Sequence, residues 1–346
     1  MSYAKEKEKI RRKHRKIKYA VVTILMIAVA GVCIFSWFVP PSSWKYYVSL
    51  PDVSKRREGE LRIHFLDVGQ GDCTLLEFPD GQTMLIDGGD GQERNTAAVL
   101  RYLNALKIKR PDFLLLTHSD SDHCGGLAKI LKMKGAGTIY LPAINNYYIN
   151  DEYAAFREVI LTEKYHSVDS RRYLQIVSNS AAYPYTLTFL WPYRAGNPGS
   201  PYDKVNGGQY TEDDLNDCSA VVWLDYFGTS ALFCGDATSR VEKILMQDYE
   251  GDFFKGYGVE LDNTEILKVS HHGSASGTSR EFMEFLGVET AAISCGKNNP
   301  YGHPSAEACG ALESVGAEIY RTDRQGNIVV TISSGGKYRT HAQYAA

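Results

Sequence analysis

No two cysteines in this chain form a Cys-x-x-Cys pair. The seven are dispersed at Cys33, Cys73, Cys124, Cys218, Cys234, Cys295 and Cys309, which argues against a disulfide framework or a zinc ribbon. They read as small core residues. No repeat occurs at a solenoid period. Positive charge is scarce in the body of the chain. The net charge is -3, but residues 1–18 carry nine Lys or Arg against Glu6 and Glu8, a local +7 that leaves -10 for the rest. An acidic body has no general attraction for nucleic acid. A polyanionic substrate would have to be held locally, by metals and a few basic side chains.

Charge is absent altogether from Ala20 to Val39, twenty residues, long enough to span a bilayer as a helix. Trp37 suits the interfacial belt, and Pro40-Pro41 ends the run. A cleaved signal would have an apolar core of about 7–15 residues followed by small ones. This run is longer and leads into Phe35, Trp37 and Phe38, so it reads as an uncleaved anchor. The basic tail places the N-terminus in the cytoplasm and everything after Pro40 outside. A DNA-binding role for the tail explains the same residues less simply. The domain plan is a tail over 1–19, an anchor over 20–39, a polar linker over 40–60 and a folded domain over 61–346.

Apolar runs and turn residues predict strands over 62–68, 73–78, 82–86, 113–117, 138–141, 186–191, 219–225, 230–234, 266–269, 290–294, 318–321 and 328–332. Helices are predicted over 95–107, 127–133, 239–247, 279–285 and 305–315. Residues 143–183 read as an irregular, Tyr-rich insertion with a helix near 153–163, and 194–216 as a Gly/Pro/Asn/Asp-rich loop. Both halves run from strands into alternating strands and helices. The expected fold is α/β, with two mixed sheets face to face and helices outside.

The densest chemistry is His118-Ser119-Asp120-Ser121-Asp122-His123, four candidate metal ligands within six residues. It follows the apolar Phe113–Leu116 run and precedes Gly125-Gly126, which places it at the carboxyl end of a strand. Imidazole with so much carboxylate suits a hard or borderline divalent ion. Four other apolar strands run into polar ends: Asp87-Gly88-Gly89, Gly235-Asp236, His271-His272-Gly273-Ser274 and Tyr301-Gly302-His303-Pro304. Together they supply the carboxylate and imidazoles that a two-metal site requires.

The order Asp87, His118/Asp120/Asp122/His123, Asp236, His271-His272 resembles the metallo-β-lactamase superfamily. With Phe65-Leu66-Asp67-Val68-Gly69-Gln70-Gly71-Asp72 and Tyr301-Gly302-His303-Pro304-Ser305, residues 61–335 resemble the soluble hydrolase domain of ComEC-type DNA-uptake proteins. The resemblance implies a metallo-β-lactamase-like αββα sandwich after the transmembrane helix, and two divalent ions, zinc or manganese. It implies His118 and Asp120 on the first ion, Asp122 and His123 on the second, Asp236 bridging, and either His271 or His272 completing the site. Asp87 would brace the ligand loop, with Asp72 and Gln70 near the metals. Two departures stand out. Asp120 replaces the His of many members, favouring manganese. The usual histidine between the ligand loop and Asp236 is missing; Asn216 and Ser219 stand in that region, and His166 falls in the insertion.

The implied chemistry is hydrolysis by water acidified between two cations that also clamp the attacked and leaving oxygens. A phosphodiester, DNA above all, is the expected substrate, and DNA-uptake or cell-envelope proteins are the expected partners. Asp122 would orient the water or take its proton; His303 and Lys297 would stabilise the leaving oxygen or hold phosphate. Tyr301 and the Tyr147-Tyr148 pair could stack on bases. The alternatives are hydrolysis of a phosphorylated cell-wall polymer or phosphocholine ester, and a non-catalytic anchored binding module.

Overall fold

The structure is a computed structural model that describes residues 2–38, 41–48, 50–145 and 149–345. The chain divides into two compact units, residues 1–50 and 51–346. In the first, Ser2–Phe38 is one continuous helix. Among the described residues it is the one helix long and apolar enough to cross a membrane.

In the second unit the described residues form fifteen strands in two sheets. The first sheet contains β1 (Leu61–Phe65), β2 (Thr74–Glu77), β3 (Thr83–Ile86), β4 (Phe113–Leu115), β5 (Thr138–Leu141) and β6 (His166–Asp169). The second contains β7 (Gln175–Val177), β8 (Tyr185–Trp191), β9 (Val221–Tyr226), β10 (Thr229–Phe233), β11 (Ile266–Lys268), β12 (Thr290–Ile293) and β13 (Glu318–Arg321). β14 (Ile328–Ile332) and β15 (Tyr338–Ala342) return to the first sheet. The orders are β15-β14-β1-β2-β3-β4-β5-β6 and β13-β12-β11-β10-β9-β8-β7. Both sheets are mixed: β3 to β6 pair in parallel, as do β10 to β13.

Alternation along the strands builds the core. Leu61, Ile63 and Phe65 of β1 face Val222, Leu224, Ala231 and Phe233 of the opposite sheet. The intervening Val221, Trp223 and Leu232 point the other way, into a second core with Val241, Leu245, Phe282, Met283 and Leu312 of the outer helices. Each such large side chain contributes about 1.5–3 kcal/mol by leaving water. Because both faces of the second sheet are covered, its strands read as nearly unbroken apolar runs. The expected αββα sandwich of two mixed sheets is what forms.

Four local expectations need correction. Residues 143–183 hold, besides the helix Asp151–Thr162, the strands β6 and β7, which add one edge to each sheet. Their exposed polar residues hide them from any apolar pattern. The loop 194–216 contains two short helices, Pro201–Asn206 and Glu212–Asn216. Pro201 opens one, and Thr211 with Asp214 forms a capping box on the other. Residues that suggested turns are helix starts. β15 has no clear apolar pattern, since alternate side chains are exposed and none is fully buried. Residues 51–60, read as linker, pack on the sandwich: Tyr226 Oη donates to Gly59 O at 2.7 Å and Arg62 to Ser54 O at 2.6 Å.

Candidate metal centre

The predicted ligands converge where the carboxyl ends of β3, β4, β10, β11 and β12 meet. β4 leads through Thr117 into the ligand loop, whose short helix Ser121–Cys124 carries Asp122 and His123. That helix packs so closely on its neighbours that glycine is required. A Cβ on Gly126 would lie 2.1 Å from Gly88 O, and one on Gly71 2.3 Å from Asp122 O.

Asp87 fastens the loop. It adopts φ 59°, a region unfavourable for a side chain, and its hydrogen bonds offset that strain. The Thr117 N–H donates to Oδ1 and the Thr117 hydroxyl to Oδ2, both at 2.8 Å, and His123 Nδ1 lies 2.8 Å from Oδ2. The Thr117 hydroxyl has spent its hydrogen on Asp87, so it accepts from His118 Nδ1 at 3.1 Å. His272 Nδ1 donates to Ser294 O at 2.9 Å. All three rings therefore donate from Nδ1 and turn Nε2 inward, where it can ligate once any proton on it is displaced.

Asp236 lies at the centre. Its carboxylate is 3.2 Å from His123 Nε2, 3.5 Å from His272 Nε2, 3.8 Å from His271 Nε2 and 4.0 Å from His118 Nε2. Asp120 approaches His118 Nε2 at 3.6 Å, and Asp122 approaches His272 Nε2 at 3.1 Å. His118 Nε2, His123 Nε2, His272 Nε2 and Asp236 Oδ1 are nonetheless buried without a hydrogen-bond partner. Buried polar atoms are seldom left so. Inward Nε2 atoms around ionised carboxylates are what divalent cations can ligate after displacing the ring protons, and the donor set fits them.

Electrostatics agree. Burial would push the His123 and His272 rings down, but the Asp236 carboxylate, with Asp87 and Asp72, holds His123 well above its usual range and His272 up at about 10. Burial likewise opposes the charges on Asp122 and Asp236, yet the facing imidazoles keep both below the usual carboxylate range. Protons on the rings supply the positive charge that cations would replace.

Adjacent His271 and His272 are separated by their backbone. Both are left-handed, at φ 47° and 55°. Such positions cost about 1–3 kcal/mol each. The double turn sends His272 into the buried cluster and leaves His271 at the rim, its side chain 23% exposed and its Nδ1 2.8 Å from Ser276 Oγ. Gly273 follows at φ 81°; a Cβ there would lie 2.6 Å from Pro304.

Asp72 completes a buried group with His123, Asp236 and His272, with ligand atoms all within 4.8 Å of one another. Its Oδ1 lies 3.3 Å from His272 Nδ1 and its Oδ2 meets Lys268 Nζ at 2.6 Å. Gln70 sits further out, its side-chain oxygen accepting from Gly296 N at 3.1 Å. That contact pins the loop bearing His303, whose ring packs on those of His271 and His272. Lys297 is exposed on the same loop, and no contact ties it to the cluster among the described residues. Asn216 is buried with Oδ1 unpartnered, and Ser219 Oγ accepts from Asp236 N at 3.0 Å. His166 opens β6, exposed. Tyr147-Tyr148 lies outside the described residues.

Four contributors escaped the sequence reading: Thr117, Lys268, Ser276 and Ser294. A lysine within the apolar run Ile266–Val269 was a usable signal, because a buried lysine needs a partner. Ser294 acts through its carbonyl and leaves no signal.

The metallo-beta-lactamase superfamily profile matches residues 66–297. The chain belongs to the metallo-β-lactamase superfamily. Similar proteins within it include ComE operon protein 3 of Bacillus subtilis (strain 168), 29% identical over 78% of this chain and 33% of that protein. Competence protein ComA of Neisseria gonorrhoeae is 24% identical over 81% of this chain and 33% of its own length. Recombination protein 2 of Haemophilus influenzae is 26% identical over 78% and 28%. The chain spans about a third of the length of these relatives.

Proposed function

We propose that this chain is a membrane-anchored, extracytoplasmic metallophosphodiesterase that acts on DNA. The observation that carries the reading is the set of inward, unpartnered Nε2 atoms around Asp236. In this reading His118 and Asp120, with His271 at the rim, would hold one divalent cation, Asp122, His123 and His272 would hold the other, and Asp236 would serve both. When bound, the pair supplies an acidified water and neutralises the charge of a phosphodiester. Asp122 and Asp120 are the part-exposed carboxylates at the opening, their side chains 28% and 25% exposed, and Asp122 would orient that water or take its proton. Asp87 and Thr117 hold the imidazoles in the ligating tautomer. His303, on the wall beside His271 and His272, would stabilise a leaving oxygen; burial and those two rings lower its pKa, so it would act as a neutral hydrogen-bonding partner. Lys297 has no comparable placement and carries no step.

The competence relatives support DNA as the substrate. The basic tail and the apolar helix support an anchor with the domain outside. The test is metal content, measured with cleavage of linear DNA and bis(p-nitrophenyl) phosphate, on the full chain in detergent. Metal-dependent cleavage abolished by Asp122→Ala and by His123→Ala is expected. Stoichiometric metal with neither substrate cleaved would redirect the search to cell-wall esters. A folded chain with neither metal nor activity would overturn the reading.

A further inference from the structure

The loop Lys297–Pro304 leaves Tyr301 exposed at 69%, which burial of apolar surface does not explain. Its ring is not free to wander. It lies 5.7 Å from the His303 ring at an interplanar angle of 23°, and His303 lies 6.3 Å from the His272 ring at 26°. Three near-parallel rings thus lead from solvent to the metal-binding cluster. The loop beneath them is clamped. Asn299 Nδ2 donates to Gly296 O at 3.0 Å and to His303 O at 2.7 Å, while Asn299 Oδ1 accepts from His303 N at 3.0 Å. Gly296 is held in turn by Gln70, so close that a Cβ would lie 2.6 Å from Gln70 N.

We propose that the outer face of Tyr301 is a stacking subsite for the nucleobase next to the scissile phosphate. The proposal rests on the phosphodiesterase reading and specifies its substrate class as nucleotidyl. The ladder fits a planar ring at a set distance from a phosphate. A base supplies such a ring whatever its identity, so the subsite is sequence-tolerant. A polyol-phosphate has no such ring and gains nothing from Tyr301.

Adenosine 5′-monophosphate and ribose 5-phosphate carry the same sugar phosphate and differ by the base. Their binding to the full chain, loaded with manganese in detergent, would be measured by calorimetry. Base stacking on an aromatic side chain corresponds to roughly a 5- to 150-fold gain. The nucleotide is therefore expected to bind more tightly by that factor. Tyr301→Ala should bring its affinity down to that of ribose 5-phosphate, whose own binding should not change, and Tyr301→Phe should restore the preference. Equal binding of both ligands to the unaltered chain would overturn the stacking subsite and leave the phosphodiesterase reading intact. So would a loss in Tyr301→Ala that is the same for both ligands. Binding of neither ligand to the metal-loaded chain would overturn both.

Discussion

The two sheets bring their halves of the metal centre together by different means. The first sheet contributes a local device. His118, Asp120, Asp122 and His123 lie on one loop, and one carboxylate, Asp87, fastens it through Thr117 and His123. The second sheet contributes single residues from separate strands. Asp236 follows β10, His271 and His272 follow β11, and Ser294 follows β12. Parallel pairing aligns these strand ends, as in Leu232↔Leu267 and Leu267↔Ala291. The first half depends on side-chain hydrogen bonds; the second depends on register and on two left-handed residues. Damage to the first should therefore be graded, whereas the junction between the halves should tolerate very little.

Asp236→Ala removes that junction and should have the largest effect. We expect metal content to fall below one ion per chain and any metal-dependent turnover to drop by about 10³-fold or more, on the order of 4 kcal/mol. Retention of two ions would show that the halves bind independently. Asp87→Ala should cost about 10–100-fold in metal affinity, as loss of a carboxylate behind a ligand typically does. A chelator competition titration would read it, and an unchanged affinity would mean that packing alone holds the loop.

The pH dependence probes both halves. His272 is raised to about 10 and His123 is raised as well, so cations must displace protons from both rings. Apparent metal affinity should fall as pH falls, by about tenfold per unit for each proton displaced. Stability of the chelator-treated protein has two edges. A raised imidazole stabilises fully below its ordinary value of 6.5, and His272 loses that contribution as pH rises through about 10. The lowered Asp72, Asp122 and Asp236 stabilise above 3.8 and lose it as pH falls further. Thermal melts across pH would show both edges, and bound metal should blunt the alkaline one. The smallest effect is expected of Ser276→Ala. It removes the partner of His271 Nδ1 at the rim, where water can substitute, and should lower metal affinity by less than about tenfold. A loss as large as that of Asp87→Ala would make His271 as important to metal binding as His123.

The strands of the sandwich were legible because two buried faces leave long apolar runs. The edges β6, β7 and β15 were not, since their exposed polar residues break the apolar pattern. The polar loop at 118–123 was conspicuous because its groups sit together on the chain. Lys268 was less so; its meaning depends on Asp72, far away in sequence and 2.6 Å away in space.

Residue order by itself determined the inventory: which imidazoles and carboxylates stand at strand ends, the spacing that crowds four of them onto one loop, and the uncharged run after a basic tail. Only the tertiary structure decided that His272 rather than His271 enters the buried cluster, that Asp72 is shared between Lys268 and His272, and that Asp236 faces both halves. Those choices belong to backbone handedness at 271–272 and to strand register. Both arise from packing between segments far apart in the chain, which no local pattern encodes.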